Sequence, residues 1–120
     1  MKKLAILSVG GDPLLPTIRN EILKRAGYEV TGSCCDEALR LAHFADGVLL
    51  DHSIPRKERE SLLAELRKRF PVMPMIVLSN SNEQYGWNKA TAALNSLDGP
   101  EALLNTLAKA FPKFHKQAAA

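Results

Sequence analysis

A doubly wound α/β fold, one parallel sheet with helices on both faces, is what this chain of 120 residues predicts. Three observations carry the prediction. Short apolar runs alternate with amphipathic helical stretches over short connections. The central run, Val48 to Leu50, is apolar without interruption and bounded by Gly47 and Pro55, as a strand buried on both faces should be. That run stops at a carboxylate, Asp51, at the edge where open α/β sheets form their ligand crevice. Asp51 also has a plainer reading, as the cap of a turn made with His52 and Ser53.

Taken in order, Leu4 to Val9 is the first strand. Gly10-Gly11-Asp12-Pro13 follows; Asp12 can cap a helix whose first position is Pro13. Pro16 removes an early helical hydrogen bond and favours a start a residue or two later. The apolar stripe of this helix reads Leu14, Ile18 and Ile22, widened by Leu15 and Ala26, with Gly27 as its C-terminal stop. Tyr28 to Cys34 is the second strand, weakened by Gly32. Asp36 or Ser33 caps a short helix carrying Ala38, Leu39, Leu41 and Ala42.

After the third strand, Arg56 to Phe70 is an amphipathic helix. Its apolar face is Leu62, Leu63, Leu66 and Phe70; Arg56, Lys57, Arg59, Arg67, Lys68 and Arg69 are placed toward water. Pro71 and Pro74 bracket its exit, and Met75 to Leu78 is the fourth strand, ending at Ser79. Ser81 to Asn95 is Asn-rich, with Lys89 to Leu94 as either a helical turn or a short fifth strand. Asp98 and Glu101 have capping-box spacing before a last helix with Leu103, Leu104, Leu107 and Phe111 on its buried face. The expected sheet order is 2-1-3-4-5, the flavodoxin-like arrangement in three layers. This order brings Gly10, Gly11 and Asp12 beside Asp51, with Ser79 at the neighbouring strand end.

Bulk properties narrow the function. Residues 1–117 are read as one domain, and Ala118 to Ala120 as a cloning scar. Sixteen Lys and Arg against thirteen Asp and Glu give a net charge of +3, too mild to argue for nucleic acid. No apolar run has the length of a membrane span, and the opening run is too short for a signal peptide, so a cytoplasmic location without membrane partners is expected. Cys34 and Cys35 are adjacent, closer than ordinary disulfide geometry wants, and are read as reduced thiols, one of them in the core.

The segments LAILSVGGDP, AGYEV, VLLDHSIP, PMIVLSN and DGPEALLNTL, in this order and at these spacings, resemble the receiver domains of two-component response regulators. The resemblance spans nearly the whole chain and marks an atypical member. It implies that Asp51 corresponds to the aspartate that accepts a phosphoryl group, and Ser79 to the hydroxyl residue that follows that group in the active conformation. The acidic pair that holds Mg²⁺ in the family falls on Gly10 and Gly11. The family lysine falls near Ser96, its following proline near Leu97, and its aromatic switch residue near Ala93; the segment between Ser79 and Pro100 is several residues shorter than in the family, which implies a shortened fourth helix.

Those departures bear on chemistry. Phosphoryl transfer to a carboxylate is mostly positioning and charge stabilisation. Each lost electrostatic contact is worth ~3 kcal/mol, about a hundredfold in rate, so losing three should leave little transfer. Asp12 is better placed to cap a helix than to bind metal, and no Mg²⁺ or other cofactor is expected. Gly10-Gly11 before a helix could expose N–H groups to an anion, but a plain turn is the preferred reading. His43, His52 and His115 have no zinc-ligand spacing with Cys34 or Cys35. Tyr85 and Trp87 either anchor a partner or fill the space beside a shortened helix.

The expected function is therefore signal transduction by protein–protein interaction, with phosphorylation at Asp51 impaired or absent and no enzymatic turnover. In receivers the faces of helices one, four and five carry partner contacts, which implies binding to a histidine kinase, another regulator or a second copy of the chain. The rivals are a working phospho-acceptor at Asp51 and a small-ligand or anion sensor using the strand-end crevice.

Overall fold

A computed structural model of the chain describes residues 4–10, 17–79, 92–95 and 100–111. Five strands, β1 (Ala5–Val9), β2 (Glu29–Ser33), β3 (Gly47–Leu50), β4 (Met75–Ser79) and β5 (Ala92–Asn95), form one parallel sheet in the order β2-β1-β3-β4-β5. The helices are α1 (Thr17–Arg25), α2 (Cys35–Leu41), α3 (Arg56–Arg69) and α4 (Pro100–Ala110), with a short 3-10 turn, Ala42–Phe44, after α2. Of the segment left open between helix and strand, the described part, from Ala92, is β5, and α4 is the last helix of the sequence reading. Residues 80–91, where the shortened fourth helix was expected, lie outside the described residues, as do Pro13 and Asp98.

Side-chain alternation along the strands divides the interior in two. Leu7, Val9, Val48, Leu50, Met75 and Val77 face α2 and α3 and pack on Ala38, Leu62, Leu63 and Leu66. Ile6, Leu49, Ile76 and Leu78 face α1 and α4 and pack on Leu23, Tyr28, Leu103 and Leu107. All four residues of β3 are buried, as a strand covered on both faces requires.

Gly27 ends α1 as expected. It has a φ of +102°, Tyr28 N donates to Leu23 O (3.1 Å), and Gly27 N donates to Lys24 O (3.1 Å). These are the two bonds of a Schellman motif, which needs a left-handed residue at this place.

Four sequence expectations are corrected. The inner face of α1 runs through Leu23, fully buried, whereas Ala26 is exposed; the stripe is rotated by one residue from the Ile22–Ala26 line. Four residues before Leu23 stands Arg19, so the buried face of α1 begins with a cation. Arg59, expected in water, is 6% exposed. It stands three and four residues before Leu62 and Leu63, so helical periodicity puts it on the same stripe and its aliphatic stem covers apolar surface. Arg67 is half-buried because its Nη1 donates to Pro71 O and Met73 O, both at 2.9 Å. Finally, Cys34 rather than Asp36 or Ser33 occupies the N-cap of α2, with no side-chain cap. Ser33 Oγ donates instead to Cys34 O (2.7 Å), while Asp36 sits inside the first turn, where its charge favours the helix dipole.

Candidate functional site

The site forms at the C-terminal ends of β1 and β3. Asp51 N donates to Val9 O (2.8 Å), extending the parallel ladder one residue beyond β3. By alternation Asp51 then points to the side of Leu49, the side covered by α1. The carboxylate is fully buried. Burial of an ionised carboxylate demands partners, and both oxygens have them. Arg19 Nη1 donates to Oδ1 at 2.7 Å. Ser53 donates twice to Oδ2, from Oγ at 2.6 Å and from its backbone N at 3.3 Å. The second of these closes an Asx turn, and Ile54 N donates back to Asp51 O (3.2 Å). The turn reading of Asp51 with His52 and Ser53 is thus realised in the geometry.

His52 Nδ1 lies 3.3 Å from Oδ1, without a hydrogen bond. Burial alone would push the Asp51 carboxyl up. The Ser53 hydroxyl, the Arg19 guanidinium and the neighbouring His52 together outweigh burial and hold it below the usual carboxylate range. The Arg19 side chain is itself only 16% exposed, so this ion pair is screened little by solvent.

Gly10 lies in the site. Its N–H donates to Ser33 O (3.0 Å), which ties the end of β1 to β2 and takes that donor out of reach of an anion. Ser79 ends β4, its Cα paired with Asn95 of β5. Gly11, Asp12, Ser96, Tyr85 and Trp87 lie outside the described residues. Sequence reasoning missed Arg19 and the side chain of Ser53. The signal for Arg19 was its spacing: it stands four residues before Leu23, which that reading did not place on the stripe.

Among the described residues, this strand end holds one carboxylate facing a guanidinium. Among the described residues no three His, Cys, Asp or Glu side chains cluster as metal ligands. Asp51 is the carboxylate of this strand end among the described residues, Gly10 offers no side chain, and a guanidinium 2.7 Å from Oδ1 opposes a second cation there.

The arrangement of a strand-end aspartate beneath the first helix can be set beside solved structures. A CheY-like receiver domain protein from Methanospirillum hungatei superimposes with a TM-score of 0.82 at 23% identity, covering 97% of this chain and 99% of its own. The chemotaxis protein CheY4 of Vibrio cholerae gives 0.79 at 24% identity, over 91% of this chain and 99% of its own. This chain has the receiver-domain fold. The regulator TrrA of Thermotoga maritima, solved in complex with Mg²⁺ and BeF, shares the receiver fold with a TM-score of 0.79 at 22% identity, over 89% of this chain and 98% of its own. No family model and no curated protein matches the sequence. Among the described residues, no helix of this receiver fold is long and apolar enough to cross a membrane.

Proposed function

We propose that the chain is an atypical receiver-like signalling module that acts by protein–protein interaction, with Mg²⁺-dependent phosphorylation at Asp51 impaired or absent. The observation that carries this reading is the engagement of both Asp51 oxygens from within the chain, by Arg19 on one side and Ser53 on the other. An acceptor carboxylate must present a free oxygen to phosphorus, and here each oxygen is held in a buried, charge-assisted bond. Arg19 supplies permanently the positive charge that a metal would bring only on loading. The site is then fixed in one charge state, and signalling rests on the surfaces of the fold. Partners are a histidine kinase, another regulator or a second copy, through the side covered by α1 and α4. Turnover of a separate substrate is not part of this reading.

A working phospho-acceptor is the second reading. Arg19 Nε and Nη2 are buried and have no hydrogen-bond partner among the described residues, so that edge of the guanidinium could receive phosphoryl oxygens. Amide NMR separates the two. Adding millimolar Mg²⁺ and then beryllofluoride, an aspartyl-phosphate mimic, should leave the resonances of Gly10, Arg19 and Asp51 in place. Saturable shifts at those residues would overturn the first reading in favour of the second.

A further inference from the structure

The end of the molecule opposite Asp51 carries a surface that the proposed function does not use. The strands start there, and α2 and α3 end there. The exposed large hydrophobic side chains among the described residues are Phe44, 78% exposed, and Val72, 92% exposed. One such side chain on a surface needs no explanation. These two are displayed by neighbouring turns. Phe44 ends the 3-10 turn after α2, and Val72 lies in the turn between α3 and β4. The turns touch: the rings of His43 and Phe70 meet edge-on with centroids 5.0 Å apart.

The turn that presents Val72 is well fixed. Met73 N donates to Phe70 O (3.2 Å), and Arg67 holds the carbonyls of Pro71 and Met73 from the last turn of α3. The helices that lead into these turns end in exposed cations: Arg40 in the last turn of α2, and Lys68 and Arg69 in the last turn of α3. The nearby carboxylate of Asp46 is turned inward, accepting from Ala5 N at 2.8 Å. Glu37 sits beside Arg40, but both are well exposed and 3.7 Å apart, a pair that solvent weakens.

We propose that this end is a docking surface for an acidic protein segment carrying apolar side chains. Phe44 and Val72 offer the apolar contact, and Arg40, Lys68 and Arg69 the complementary charge that orients the segment and speeds its arrival. A lipid surface is the poorer occupant. Membrane-binding faces use an amphipathic helix laid in the interface, or clusters of roughly four to eight basic residues. Among the described residues, two apolar side chains here project from turns on the same end as three exposed cations. The surface is remote from Asp51, so it stands or falls independently of the phosphorylation question.

The test is a titration of the full ¹⁵N-labelled chain with a short synthetic peptide of glutamates interrupted by one phenylalanine and one leucine. The amides of His43, Phe44, Lys68, Arg69 and Val72 should shift saturably while those of Gly10 and Asp51 stay still, and added salt should weaken the binding. Combining Phe44→Ser with Val72→Ser, or Lys68→Glu with Arg69→Glu, should weaken it about tenfold or more. These positions are exposed, and unchanged dispersion of the remaining amides checks that the fold is kept. The proposal is overturned if the peptide moves no resonance at this end, or if both variants bind like the parent. It is also overturned if phosphatidylserine-containing vesicles bind here and the peptide does not.

Discussion

Replacing Arg19 with alanine leaves the Asp51 carboxylate buried without its cation. At a charge separation of ~4 Å and an effective dielectric of ~20, the attraction lost is about 4 kcal/mol. Breaking a buried pair from one side typically costs about 3–5 kcal/mol, because the remaining charge stays desolvated. Ser53 continues to donate to Oδ2 from both Oγ and N, which places the expected cost near the lower end, about 3 kcal/mol. For a domain of this size that is a fall in Tm of roughly 10–15 °C.

The pH dependence makes the cause recognisable. In the parent, folding holds the Asp51 carboxyl below its ordinary value. The resulting stability is present above the unfolded value of ~3.9 and is lost as pH falls through the folded value. Without Arg19, burial becomes the dominant influence and the carboxyl moves up. The variant then loses stability as pH rises, so the gap between the two proteins is widest at neutral pH and narrows in acid. Urea denaturation across that range, with a carboxyl ¹³C titration of Asp51, measures both effects. Adding Asp51→Asn to the variant should return about 2 kcal/mol or more as a coupling energy. A gap below about 1 kcal/mol that does not change with pH, with Asp51 titrating as before, would refute the reasoning.

Other substitutions test the frame that holds the site. Gly27→Ala should cost about 1–2 kcal/mol in urea denaturation through backbone strain alone: φ is +102° and an added Cβ meets no atom within 4 Å. At Gly47 the cause is crowding. A Cβ there would lie 2.5 Å from Phe111 Cζ and 3.3 Å from Pro74 O, so Gly47→Ala should cost about 1–3 kcal/mol; trimming Phe111 in the same chain should recover much of it. Cys34 is exposed, whereas burial, helped by the negative charge of Glu58, pushes the Cys35 thiol up. Timed thiol labelling read by mass spectrometry should therefore modify Cys34 first, and Cys34→Ser should remove the fast phase.

The core was legible because strand and helix periods differ. Val48 to Leu50 could be read as buried on both faces from three residues, and the alternation of strands with helices pointed to a parallel sheet, whose expected order the structure has. Gly27 was legible for a similar reason: a Schellman turn needs a residue that tolerates positive φ, and the glycine stood at the end of the stripe. The cap of α2 was not, because Ser33, Cys34 and Asp36 are near neighbours and only local backbone angles choose among them.

What the sequence by itself determined was an α/β chain with a carboxylate at the end of its central strand. The tertiary structure alone decided what that carboxylate touches. Arg19 and Asp51 are 32 residues apart, and nothing in either segment announces the other. Their meeting depends on α1 lying over the face that Leu49 and Asp51 share, and on a one-residue rotation of its inner stripe. The same rotation-sensitive arithmetic buried Arg59 on α3. A hydrophobic pattern reports which face of a helix turns inward only to within a residue or so. An arginine can lie on either side of that boundary, since its stem suits the core and its head needs a polar partner. Whether such a partner is within reach is a property of the packed fold.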